Sequence, residues 1–271
     1  MLTGDARART LDYILKRQCR MGGFCFYRLE EPNGSDTYFA LASLNLLGET
    51  LHDPATSHFL KAIQTDDGSY HNLYHAYYAI RGLKLMGTRP DRDPRPYLKS
   101  QLEKFTVKNA ASETVLKRLD YLTELCVELQ VEIPPPERKR ITAFVLSLEG
   151  KNGGFGTPVP TLLTSAYAVN SLNRLGVSLA SLSISTFLKA CENPVHGFLN
   201  VPDMAPSFLE HIHAGVSIAR LLGYPPRFSQ ACLQFVTRCQ DPNGGFARTS
   251  HGLPSLSDTY LAIHTLHLLD R

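Results

Sequence analysis

Apolar residues recur along this chain at three- and four-residue spacing, and no segment shows the sustained alternation of a half-buried strand, so the pattern predicts an all-α protein. The predicted helices fall into two classes. One set, over 6–18, 55–64, 97–105, 137–148, 182–191 and 228–239, is charged on part of its circumference. Pro54, Pro96, Pro136 and Pro226 precede or open four of them, as proline often does at a helix start. The other set, over 36–47, 73–86, 113–129, 163–175, 208–222 and 258–269, is apolar over most of its circumference and rich in small residues such as Ala40, Ser43, Ala79, Gly82, Ala168 and Ala214. That composition marks the second set as inner helices, buried on more than one side.

A glycine-aromatic turn joins the two helices of each pair. Its aromatic residue stands at Phe24, Tyr70, Phe155, Phe198 and Phe246, at spacings of 46, 85, 43 and 48. The long spacing is close to two periods and implies a degenerate unit near Lys108 to Ser112. Six helical hairpins of about 45 residues then account for residues 1–271 as a single domain, a length within reach of one sizeable core. Units of this kind either stack into an open solenoid or close into a ring. Six compact units with no polar capping repeat favour the ring.

Composition changes this picture little. A net charge of +3 gives no argument for a nucleic-acid partner. No apolar run is long enough to span a bilayer, and the N-terminus lacks the apolar core of a secretion signal, so a cytoplasmic protein is expected. The six cysteines form no C-x-x-C pair; Cys19, Cys191 and Cys239 share a position just before the turn, which favours packed free thiols.

The repeat register picks out polar residues. Twelve residues before each closing glycine or its equivalent stand Asp36, His75, Thr164, His211 and Asp258, with Glu113 the corresponding guess in the degenerate unit. Ring closure would set His211, Asp258, Asp36 and His75 side by side at one rim, a group able to bind a divalent metal or to act as acid and base. The alternative is that Asp36, Asp258 and Thr164 are helix N-caps, since Asp and Thr are favoured there. Histidine is a poor cap, which keeps more functional weight on His75 and His211. His213 and Glu210 flank His211 and are alternative inward-facing groups, whereas His264 and His267 have no partner that the sequence identifies. Tyr38, Phe39, Tyr77, Tyr78, Tyr167 and Tyr260 lie near the same rim and either line an apolar substrate pocket or pack between helices.

The turn and the helix after it carry a resemblance. Gly22-Gly23-Phe24 followed by Tyr38-Phe39-Ala40-Leu41-Ala42-Ser43-Leu44, and the segments Gln64 to Tyr70 and Gln240 to Phe246, resemble the prenyltransferase and squalene-cyclase repeat over nearly the whole chain. The resemblance implies an α6/α6 toroid whose lumen accepts an isoprenoid. In the protein prenyltransferase β subunits of that family a catalytic zinc is held by an Asp-x-Cys pair and a later histidine. Here His75 matches the histidine, but Asn33 and Ser35, or Ser255 and Ser257, stand where the other two belong, so the zinc set is incomplete. The cyclase branch uses Asp-x-Asp-Asp; the nearest stretch, Gln64-Thr65-Asp66-Asp67, lacks the first aspartate and reads as turn chemistry. The chain has no tryptophan to wall a carbocation site, leaving tyrosine and phenylalanine faces for that task. Arg28 and Arg248 resemble the family's basic loop positions and are the expected diphosphate contacts. Two functions follow: an isoprenoid-processing or isoprenoid-binding protein, prenyltransferase-like or terpene-cyclase-like, and a non-catalytic toroid that binds a protein or peptide.

Overall fold

The computed structural model describes residues 2–27, 30–105 and 112–270. The degenerate turn expected near Lys108 lies outside them, as does Arg28. By their contacts the residues fall into two units. One comprises Met1–Asp93, Phe208–His213 and Leu233–Arg271; the other comprises Pro94–Ser207 and Ala214–Cys232.

The first unit contains α1 (Gly4–Leu15), α2 (Gly34–Leu46), α3 (Pro54–Lys61), α4 (Leu73–Leu85), the start of α10 (Leu209–Leu221), most of α11 (Ser229–Arg238) and α12 (Leu256–Leu269). Here α12 packs on α2 and α2 on α4, so the apolar helices of consecutive hairpins lie against one another, and the chain's last hairpin adjoins its first. The charged helices α1 and α3 flank this layer, against α2 and α4. Tyr13, Ile14, Phe24, Ala40, Leu44 and Leu256 form one part of the core, and Leu41, Leu60 and Leu83 another.

The second unit repeats the plan with α5 (Arg95–Glu103), α6 (Ser112–Glu128), α7 (Pro135–Leu146), α8 (Leu162–Arg174), α9 (Ile184–Cys191) and the rest of α10. The layer of apolar helices is α6 on α8, flanked by α5 and α7. A two-residue antiparallel ladder, β1 (Glu192–Asn193) with β2 (Gly197–Phe198), is the one regular strand pair among the described residues.

That ladder is the repeat's turn in its most regular form. Glu192 pairs with Phe198 as Gln18 does with Phe24, Glu149 with Phe155 and Gln240 with Phe246. The charged helices before Phe24, Phe155 and Phe246 therefore end earlier than the apolar pattern predicts, because their last residues already belong to an antiparallel pinch. The pinch drives its aromatic residue into the core: Phe24, Phe155, Phe198 and Phe246 are at most 1% exposed.

The glycines of the turn are explained by what lies beside them. Gly22 and Gly244 have φ of +93° and +96°, and a Cβ on either would fall 2.2 Å from backbone atoms of Ala55 and Arg9, in the charged helices α3 and α1. Neither the conformation nor the approach tolerates a side chain. Threonines complete the join: Gly23 N–H donates to Thr56 Oγ1 at 2.8 Å, and Thr10 Oγ1 donates to the Gly244 carbonyl at 2.8 Å. Gly-Gly-aromatic is thus a hairpin-to-hairpin joint. All six cysteines are buried and free.

Candidate functional site

The residues sharing the repeat register also share a structural position, though it is not the expected one. The side chains that cap α2, α4, α8 and α12 belong to Asn33, Asn72, Thr161 and Ser255. Each accepts the backbone N–H of the residue three further on: Asp36 at 2.8 Å, His75 at 3.0 Å, Thr164 at 3.1 Å and Asp258 at 2.9 Å. Asp36, Thr164 and Asp258 are therefore not N-caps. They occupy the third helical position, from which a side chain reaches back to the cap. Asn33 Nδ2 donates to Asp36 Oδ2 at 2.6 Å and Ser255 Oγ to Asp258 Oδ2 at 2.7 Å. In α10 the His211 ring does the same work, its Nδ1 accepting the Phe208 N–H at 3.1 Å.

The environments of these residues differ. Burial raises the Asp36 carboxyl above its ordinary range, opposed by the Asn33 amide, the Phe26 N–H and the Arg17 charge. Burial likewise raises Asp258, opposed by Ser255 and Arg248 and reinforced by Glu210. Both carboxylates lie within electrostatic reach of Tyr13, whose phenol is pushed up to about 12, chiefly by burial. His211 is buried against the Phe208 ring at 5.2 Å, and burial lowers its pKa. His75 is exposed, with His71 as its ring neighbour at 6.1 Å. Among the described residues no three His, Cys, Asp or Glu side chains are grouped so as to hold a metal ion. Of the expected metal set, His211 Nδ1 and the carboxylates of Asp36 and Asp258 are turned back onto their own helix starts, and His75 is exposed.

Arg248 is already engaged by residues at the start of α10. Its Nε donates to Glu210 Oε1 at 2.6 Å, and its guanidinium lies 3.9 Å from the centre of the Phe208 ring.

The aromatic residues are brought together. Tyr38 and Phe39 of α2, Tyr77 and Tyr78 of α4 and Tyr260 of α12 form a continuous set of rings. Tyr38 meets Tyr77, Tyr78 and Tyr260 at 5.7, 5.8 and 6.0 Å between centroids, while Phe39 meets Tyr78 and Tyr260 at 5.6 and 5.5 Å. Tyr38 and Tyr77 are buried, whereas Phe39, Tyr78 and Tyr260 are half-buried and present ring surface. Arg81, one turn after Tyr77, donates to its phenol oxygen at 2.7 Å and lies 5.4 and 5.3 Å from the Tyr38 and Tyr77 ring centres. Tyr167 belongs to the other unit, half-buried on α8.

The row continues through residues that the sequence did not connect. The His264 ring stacks on Tyr260, at 5.5 Å and 22°, and its Nδ1 is 3.0 Å from Nε2 of His213. The available signal was helical spacing: His264 is one turn after Tyr260 and so shares its face. His213 is two residues from His211 and so faces elsewhere. Burial, reinforced by His264, lowers the His213 pKa to about 3. Two cavities lie apart from this row. One of about 300 Å³ sits at the far ends of α2 and α12, between Leu47, Ile263, Leu266 and His267; another, of about 550 Å³, lies in the second unit beside Ile133, Ala143 and Leu146.

Comparison with known proteins agrees with the helical-hairpin plan. The model of the prenyltransferase alpha-alpha toroid domain matches residues 1–73, 65–123 and 96–271. Among solved structures, the Candida albicans protein geranylgeranyltransferase-I complexed with GGPP is similar, with a TM-score of 0.74 over 97% of this chain and 90% of that one, at 15% identity. No curated protein matches.

Proposed function

Since this chain belongs to the prenyltransferase alpha-alpha toroid family, and has the all-α toroid fold of that family, we propose that it binds and processes an isoprenoid whose chain lies against the aromatic row of α2, α4 and α12. The observation that carries this is the row itself: Phe39, Tyr78 and Tyr260 present ring surface on three neighbouring helices, backed by Tyr38 and Tyr77. Such a surface suits a branched hydrocarbon chain and stabilises an allylic cation by its ring faces, the common requirement of prenyl transfer and terpene cyclisation. Asp36 and Asp258 are the acid-base groups of this reading, because burial raises both carboxyls above their ordinary range. The geranylgeranyltransferase-I similar to this chain is a complex with GGPP, which makes isoprenoids the first ligands to test.

The protein is read as one toroid over residues 1–271 working in the cytoplasm. Six buried free cysteines suit a reducing compartment, and among the described residues no helix is long and apolar enough to cross a membrane. The second reading, a non-catalytic toroid holding a protein or peptide, is favoured by Arg248, whose charge is met by Glu210 instead of being held ready for a diphosphate.

Thermal-shift measurements with farnesyl and geranylgeranyl diphosphates and the corresponding alcohols test the proposal. A ligand at one hundred times its Kd stabilises the folded chain by about 2.7 kcal/mol, which raises the melting temperature by roughly 5–10 °C for a chain of this size. No shift with any isoprenoid would reject the first reading and leave the second.

A further inference from the structure

At its α10 end the aromatic row terminates in a polar pair. His213 Nε2 and His264 Nδ1 are 3.0 Å apart, and an N–H···N contact between two imidazoles requires one ring to donate and the other to accept. At least one ring is therefore neutral. The influences on His213 are burial and His264, with no carboxylate contributing, and they hold its pKa at about 3, so it carries no charge at neutral pH. The plane of His264 is fixed by its stack on Tyr260, in line with the rings of Phe39 and Tyr78. Among the described residues the bond to His264 is the only one His213 makes, which leaves its Nδ1 unused. The pair has two tautomeric arrangements, so this atom can accept a hydrogen bond or donate one.

Among the described residues, the cations Arg248 and Arg81 are committed elsewhere. Arg248 is paired with Glu210 and stacked on Phe208; Arg81 bonds the Tyr77 phenol and lies over two rings. A diphosphate is an acceptor only. Here it would gain one neutral N–H and would have to compete with Glu210 for Arg248. A hydroxyl both donates and accepts, and so fits either arrangement of the histidine pair.

Resting on the reading that an isoprenoid occupies the row, we infer that its ligand is a neutral prenyl alcohol, the chain lying along Tyr260, Phe39 and Tyr78 and the hydroxyl bonded to His213 Nδ1. His213 is then the residue that sets specificity, and His264 the positioning residue that holds its ring.

Equilibrium binding to the full chain, read by calorimetry, tests this with farnesol, the hydrocarbon farnesene and farnesyl diphosphate. Farnesol is expected to bind about tenfold more tightly than farnesene, the worth of one well-made hydrogen bond, and more tightly than the diphosphate. His213→Phe keeps a flat ring and should bring farnesol down to the level of farnesene while leaving farnesene unchanged. Tighter binding of the diphosphate than of the alcohol overturns the inference but leaves the proposed function standing. So does a farnesol-to-farnesene ratio unaltered by the substitution. Binding of none of the three overturns both. If His213→Phe does not fold, the ratios measured on the unsubstituted chain decide.

Discussion

Replacing Arg174 by methionine isolates the buried carboxylate of the second unit. Asp120 on α6 is 6% exposed and paired with Arg174 on α8, which also holds Glu124 at 3.2 Å. Burial raises the Asp120 carboxyl from 3.8 to about 6, even against the pull of Arg174. Between those two pH values the folded chain keeps a proton that the unfolded chain has released. The resulting stability is fully present below 3.8, declines as the pH rises and is gone above about 6; it amounts to about 3 kcal/mol at 1.36 kcal/mol per pH unit. Without the guanidinium the carboxyl moves higher still. At pH 7 the variant must hold an unpaired buried charge or take up a proton, and the expected loss is about 3 kcal/mol, the lower end for breaking a buried pair. At pH 5 the native carboxyl is already mostly protonated, so the loss shrinks to that of a hydrogen bond, about 1 kcal/mol. Methionine preserves the apolar stem, which keeps packing changes small. Urea unfolding followed by circular dichroism at both pH values gives the two losses directly. Equal losses at pH 5 and pH 7, or a loss below about 1 kcal/mol at pH 7, would refute the reasoning.

Other substitutions separate the roles assigned above. Gly244→Ala meets both a φ of +96° and a backbone 2.2 Å away, and is expected to cost about 3 kcal/mol or more; Gly48→Ala, at +79° with nothing within 4 Å, should cost about 1 kcal/mol, and similar melting temperatures for the two would contradict the joint. Ser255→Ala removes the cap of α12, with an expected loss of about 1 kcal/mol, and also removes a bond that lowers the Asp258 pKa. Carboxyl titration by NMR should then place Asp258 at higher pH, whereas an unmoved Asp258 would deny the contact. Tyr260→Leu keeps apolar volume but breaks the ring contacts with Phe39 and His264. It should weaken isoprenoid binding by roughly tenfold, through lost aromatic contacts of about 0.5–1.5 kcal/mol each. Unchanged affinity would place the ligand elsewhere.

The helical hairpins and the core aromatics of the turn were legible because each follows from a periodic or repeated signal: three- and four-residue spacing for the helices, glycine before an aromatic for the turn. The register twelve residues before the closing glycine was legible too, but its meaning was not. Asn33, Asn72, Thr161 and Ser255 are scattered polar residues in loops, and nothing in their spacing says that they, and not the residues three further on, leave the helical conformation first. The sequence carries a second signal in the threonines of the apolar helices. Thr37 Oγ1 accepts the Phe24 N–H at 2.9 Å and Thr259 Oγ1 the Phe246 N–H at 3.0 Å, each thirteen residues after its aromatic. These buried hydroxyls fix the turn to the start of the next apolar helix, so the position of the turn dictates which residues stand at the third helical position. The histidine pair lay beyond reach for a different reason. His213 and His264 are 51 residues apart on different helices, and their meeting depends on how α10 and α12 are rotated about their own axes. That rotation is set by which faces are apolar, and both helices are apolar over most of their circumference. Where a helix is apolar nearly all round, periodicity establishes that it is buried but leaves undetermined which polar residue it turns toward a neighbour, and there the chemistry of a site is decided by packing.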